Sequence, residues 1–143
     1  MNDETRNAVL LDANVVIDLT GEESAWREWS WQMAARIRST SQLLINPIVY
    51  AEVSVGFATI ERFEADLSHL AISFDRLPRA ALFLAGRQFQ TYRLEHKGPK
   101  TSLLPDFLIG AHAAVLGIPL LTRDTRRYRT YYPRLTLISP ETV

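Results

Sequence analysis

The 143-residue chain contains no cysteine. Disulfides, thiolate nucleophiles and cysteine-ligated zinc are therefore excluded, and the composition suits a reducing compartment. Histidine is scarce: His69, His96 and His112 are the only three, and they show no metal-ligand spacing. Long apolar runs are missing too. The apolar stretch at residues 8–19 is broken by Asp12, Asn14 and Asp18. Neither a signal peptide nor a membrane span is expected, and the location is read as cytoplasmic. There is no excess charge of either sign, with 16 basic and 16 acidic side chains. Net charge thus argues neither for nor against nucleic acid. No repeat, low-complexity tract or linker divides the chain, so residues 1–143 are read as one domain.

What is present is a globular composition, 47% hydrophobic and 22% charged, in a chain long enough to bury a real core. The charge is unevenly distributed. Residues 1–70 carry 11 acidic and 5 basic side chains, and residues 71–143 carry 5 and 11. This distribution would give either one basic surface or two halves that pair with each other.

Short apolar runs at residues 8–11, 43–45, 71–74, 119–121 and 135–138 read as buried strands. They lack polar alternation, as strands of a parallel sheet covered on both faces do. Helical patterns lie between them. Pro47, Pro78 and Pro105 each open one, Asn46 is a good N-cap, and Gly117 stands where a glycine would close the helix begun at Pro105. Strands alternating with helices give an α/β fold with a mostly parallel sheet, whose sites form beyond the carboxyl ends of the strands.

Asp12 directly follows the first strand, and Asp124 follows the fourth by a two-residue link. Each also reads as a helix cap. Glu52 has Ile48, Val49, Val55 and Gly56 one turn away, and Asp106 has Ile109, Gly110 and Ala113 along its face. Acids on apolar stripes are expected to be carried towards the core. By contrast, Glu61, Glu64 and Asp66 crowd one polar segment and read as a solvated face. A buried carboxylate needs a counter-charge. No Arg or Lys lies within four residues of Glu52 or five of Asp106. A divalent cation would neutralise several acids at once, and an oxygen-only donor set suits Mg2+ or Mn2+ rather than zinc. A salt-bridge network through distant arginines is the alternative.

The segments LLDANVVIDL, NPIVYAEV, LLPDFLIGAHA and LLTRDTRRYRTYYP, in that order, resemble the successive motifs of PIN-domain ribonucleases. The closest resemblance is to VapC-like toxins of bacterial toxin–antitoxin pairs, and it runs from residue 9 to residue 140. It implies that Asp12, Glu52, Asp106 and Asp124 form the acidic cluster. Asn14 and Thr122 match the family's polar residues beside the first and last acid. It further implies a parallel sheet in the order 3-2-1-4-5, which makes the first and fourth strands neighbours. Mg2+ as cofactor (with Mn2+ as a substitute), an RNA substrate, a homodimer and a cognate antitoxin are implied as well. Residues 56–104 carry little family signal.

The expected chemistry is metal-assisted hydrolysis of an RNA phosphodiester. Asp12 and Asp106 are the first choice as direct ligands. Asp124 completes the cluster directly or through water, and Glu52 binds metal or orients the nucleophilic water. Asn14 and Thr122 either hold a carboxylate in place or cap helices. Five arginines interleave with Tyr128, Tyr131 and Tyr132 after residue 122. Arg126 and Arg127 are the candidates for phosphate contact, and the tyrosines for base stacking. Asp18 is expected to end a short surface helix. Trp26 and Trp29 are assigned to the core and Trp31 to an outward face. Two other α/β chemistries are disfavoured. A haloacid-dehalogenase-like phosphatase wants an Asp where Asn14 stands, and a receiver domain wants a lysine beyond Lys100. A non-catalytic, metal-stabilised module that binds RNA or protein is the remaining alternative.

Overall fold

The structure is a computed structural model that describes residues 7–21, 24–96 and 103–141. Its sheet is built from five short strands: β1 (Ala8–Leu11), β2 (Gln42–Ile45), β3 (Ile72–Phe74), β4 (Leu120–Leu121) and β5 (Leu137–Ile138). All neighbouring pairs are parallel, in the order β3-β2-β1-β4-β5. β1 and β4 are wholly buried and β2 nearly so, as apolar strands covered on both faces must be.

The edge strands are shorter than the sequence suggests. Ala71 takes a left-handed conformation (φ 59°), so it belongs to the turn before β3. Such a residue cannot continue a strand. Phe74 on β3 stays half exposed, and both residues of β5 are only partly buried.

Seven helices flank the sheet among the described residues: α1 (Ala13–Thr20), α2 (Arg27–Arg38), α3 (Pro47–Ser54), α4 (Ile60–His69), α5 (Arg79–His96), α6 (Leu104–Leu116) and α7 (Arg126–Tyr131). Three begin at or beside the prolines that mark them. Asn46 caps α3, its Oδ1 accepting from Val49 N at 2.9 Å. Gly117 closes α6 at φ 69°, where a side chain would be strained. α2 starts at Arg27, directly after Trp26. Trp26 is therefore a helix-entry residue, exposed and edge-on to Trp29, whereas Trp29 and Trp31 are partly buried against the core. The expected division between core and outward tryptophans does not hold.

Two features of this fold position the site. Strand order reverses between β1 and β4, which opens a crevice at their carboxyl ends. The backbone then locks that end, with Asp12 N donating to Leu121 O at 2.9 Å and Thr122 N to Ile138 O at 3.0 Å. Beneath it, Leu10, Leu11, Leu120 and Leu121 are fully buried and leave no room for the sheet end to shift.

Candidate active site

Asp12 is buried at the junction of β1 and α1. It caps α1, with Oδ1 accepting from Ala13 N at 2.8 Å. Its other oxygen has different work. Oδ2 accepts from Thr122 Oγ1 at 2.8 Å and from Tyr128 Oη at 2.9 Å. The carboxylate is thereby held from three elements: α1, the segment after β4, and α7.

Thr122 is the hub of this arrangement. Its single hydroxyl proton goes to charged Asp12, and the oxygen accepts from Asn14 Nδ2 at 3.3 Å and from Asp124 N at 3.1 Å. Asn14 Oδ1 in turn accepts from Arg123 N at 3.2 Å. Neither Asn14 nor Thr122 caps a helix. Together they tie the link that carries Asp124 to the start of α1.

The same link is anchored on its far side by Asp18. That residue is almost fully buried, contrary to the surface position expected of it. It accepts from Arg123 Nε and Nη2 at 2.8 and 3.1 Å, from Ser30 Oγ at 2.6 Å and from Ser24 Oγ at 3.3 Å. A bidentate arginine and two hydroxyls supply what an ionised buried carboxylate requires. The Arg123 guanidinium also lies over the Trp26 ring, 5.6 Å from its centroid.

The other acids arrive from separate helices. Asp106 comes from the first turn of α6 and Glu52 from the second half of α3, while Asp124 precedes α7. Asn46 and His112 fix α3 against α6. Because Asn46 Oδ1 caps α3, its Nδ2 must donate to His112 Nδ1 (3.1 Å), which leaves Nε2–H to donate to Asp75 at 3.2 Å. All four acids line one recess of about 180 Å3, together with Ala13, Asn14, Arg127 and Tyr128.

Glu52 is not carried into the core. Val49 and Val53 take that face, Val55 and Gly56 are exposed, and Glu52 stands at the rim. Its carboxylate has no hydrogen bond or ion pair among the described residues. Asp106 does have a cationic partner. Arg127, 21 residues further on, donates from Nη1 to its Oδ2. Asp124 is largely exposed and only loosely approached by Arg126, at 3.9 Å.

The electrostatics are those of crowded negative charge. Burial, and then the Asp106 charge, raise the Asp12 pKa above the ordinary carboxylate value, against the hydrogen bonds of Thr122 and Tyr128. Glu52 is raised by partial burial and by Asp12 and Asp106. Asp106 is raised by burial and by Asp124, although Arg127 pulls the other way. Tyr128 is pushed well above its usual value, chiefly by burial and by the Asp12 charge, so it remains a hydrogen-bond donor.

This donor set fits a hard divalent cation. It offers only oxygens, the carboxylates repel one another, and burial makes that repulsion expensive. Among the described residues, however, no three His, Asp or Glu side chains are already gathered into a metal-holding group. The acids ring the recess without closing on one point.

Tyr128, the Asp18–Arg123 pair and His112 escape the sequence reading. The sequence suggests base stacking for Tyr128, but it is buried, as are Tyr131 and Tyr132. α7 turns them against α6, where Tyr132 Oη donates to Phe107 O at 2.7 Å. The available signal is spacing: Tyr128 lies one helical turn after Asp124. The Asp18–Arg123 pair and the Asn46–His112 bond join positions more than 60 residues apart, and no local pattern marks them.

The sequence model of the PIN domain matches residues 9–132. Comparison with curated proteins by sequence gives no match. Among solved structures, a chain of a toxin–antitoxin complex from Klebsiella pneumoniae aligns with a TM-score of 0.61 at 26% identity, covering 92% of this chain and 97% of that one. A chain of the VapBC2 complex from Rickettsia felis, bound to a DNA fragment from its promoter, gives 0.68 at 17% identity, covering 92% and 98%. A chain of FitAcB from Neisseria gonorrhoeae gives 0.64 at 19%, covering 94% and 99%. At 17% and 19% identity the likeness establishes the fold alone.

Proposed function

This chain belongs to the PIN domain family, and on that premise we propose that it is a divalent-metal-dependent endoribonuclease, the toxin of a toxin–antitoxin pair. The single observation that carries the reading is the convergence of Asp12, Glu52, Asp106 and Asp124 on one recess at the β1–β4 crevice. Three of the four have raised pKa values, so the site favours a cation.

Asp12 and Asp106 would hold the metal directly, with Asp124 and Glu52 completing the set directly or through water. Bound Mg2+ or Mn2+ would activate a water for attack on the phosphodiester and neutralise charge developing on the phosphate. Thr122 and Tyr128 hold Asp12 Oδ2 and Ala13 N holds Oδ1, so the carboxylate is fixed at the recess it lines. Asn14 keeps the Thr122–Asp124 link from moving. Glu52, free of other bonds at the rim, orients the incoming water. Arg126 and Arg127 would meet RNA phosphates, and Arg126 is the more accessible.

The toxin role is supported by the toxin–antitoxin complexes among the structural neighbours. The same reading gives the chain a cognate antitoxin, a homodimeric assembly and a cytoplasmic location. No helix among the described residues is long and apolar enough to cross a membrane.

One observation favours the non-catalytic module instead: Asp106 is already paired with Arg127. The two readings separate on incubation of the purified chain with RNA, with Mn2+ or with EDTA. Cleavage that requires Mn2+ and stops with EDTA supports the nuclease. Absence of cleavage across tRNA, rRNA and mRNA substrates supports the module.

A further inference from the structure

We propose that Arg127 is an internal cation competing with metal for Asp106, so that the divalent ion must displace it to fill the recess and Arg127 sets the metal concentration at which the site loads. The proposal rests on reading the recess as a metal site.

Arg127 lines the recess beside all four acids. Its approach is fixed by the backbone, because the next residue, Tyr128, is fastened to Asp12 by its hydroxyl. From there the guanidinium donates to Asp106 Oδ2, the oxygen of a carboxylate otherwise surrounded by burial and by the Asp124 charge. The described arginines on either side have other engagements. Arg123 is held by Asp18 and Arg129 by Glu141, while Arg126 is almost fully exposed. Only Arg127, among these four, reaches into the acidic ring.

An intramolecular guanidinium is present at fixed and high effective concentration, whatever the solution holds. It offsets part of the repulsion among the acids and keeps Asp106 committed to a partner. A divalent ion entering the recess brings two positive charges against that one. Asp106 then prefers the metal, and a guanidinium left beside a divalent ion is repelled. The side chain has an exit: Arg127 and Asp106 are each about one-third exposed, so the pair can part into solvent without any helix moving. The ring of unclosed carboxylates is what such a pair would leave.

The test needs no RNA. Mn2+ binding to the full chain is measured by calorimetry for wild type, Arg127→Gln, Arg126→Gln and Asp12→Asn. Arg127→Gln is expected to bind about tenfold more tightly or better, the effect of removing one competing charge-assisted hydrogen bond. Arg126→Gln, whose charge stands in solvent, is expected to change affinity by no more than about twofold. Unchanged or weaker binding by Arg127→Gln, with binding still lost in Asp12→Asn, overturns displacement and leaves the metal site standing. Equal binding by wild type and Asp12→Asn removes the metal site itself, and this proposal with it. A second readout needs no substitution. Under Mg2+ titration the Arg127 side-chain N–H resonance of wild type is expected to shift with the midpoint of metal binding. A resonance that stays in place as the site fills overturns the proposal.

Discussion

Tyr128 Oη donates to Asp12 Oδ2 at 2.9 Å, which fastens the middle of α7 to the carboxylate at the end of β1. The bond lies at the floor of the recess and joins elements 116 residues apart. Removing it with Tyr128→Phe leaves a buried, charged acceptor short of one donor. The loss of stability is expected to be about 1.5–3 kcal/mol, read from urea denaturation of the metal-free protein. A change below about 0.5 kcal/mol would mean that the bond does not hold α7 in place.

The acids make metal-free stability depend on pH in a stated direction. Asp12, Glu52 and Asp106 have folded pKa values raised above those of the unfolded chain. In the window between the two, the unfolded state has released protons that the folded state retains. Their contribution therefore weakens folding as pH rises through that window, and it vanishes below the unfolded values of about 4. Glu52→Gln removes one such charge at the rim without breaking a hydrogen bond. Its stability gain over wild type in EDTA is expected to be absent in acid and to grow to a few tenths of a kcal/mol at neutral pH, solvent screening keeping it small. A gain that shrinks as pH rises would reverse the assigned sign.

The Asp18–Arg123 pair is expected to be the costliest polar contact to break. Asp18→Ala strands a guanidinium and two serine hydroxyls in the fold. A loss of about 3 kcal/mol is expected in chemical denaturation, at the low end for buried pairs because Arg123 is partly exposed. The same substitution loosens the Thr122–Asp124 link, so Mn2+ affinity should fall with it.

Gly110 is a packing position. A Cβ there would stand 2.6 Å from two Tyr132 ring carbons and 3.1 Å from Tyr128. Both rings are buried and cannot swing aside. Gly110→Ala is expected to lower stability by about 1–3 kcal/mol, seen as a reduced Tm, and to disturb Tyr128 where it meets Asp12.

Much of this architecture is legible in the sequence because it is written locally. Apolar runs without alternation give parallel strands, and Asn46-Pro47 and Gly117 mark helix ends by backbone chemistry alone. The strand ends then place Asp12 and Asp124. Sheet order is a different matter: only the family resemblance supplies the β1–β4 adjacency. Glu52 exposes the limit of periodicity, since α3 is eight residues long and too short for a neighbour count to say which flank faces the core. The Arg127–Asp106 pair lies beyond any local window, at a separation set by how α7 folds back over α6.

The central claim is that the carboxylate recess is a metal-dependent ribonuclease site. Its most direct test is RNA cleavage in Mn2+ by wild type and Asp12→Asn, with folding of both verified by circular dichroism. Asparagine preserves the shape of the side chain, and the Thr122 and Tyr128 hydroxyls can rotate to suit it. Cleavage by wild type that EDTA abolishes, together with background activity in Asp12→Asn, is the predicted result. A folded Asp12→Asn protein that cleaves RNA as fast as wild type would contradict the account.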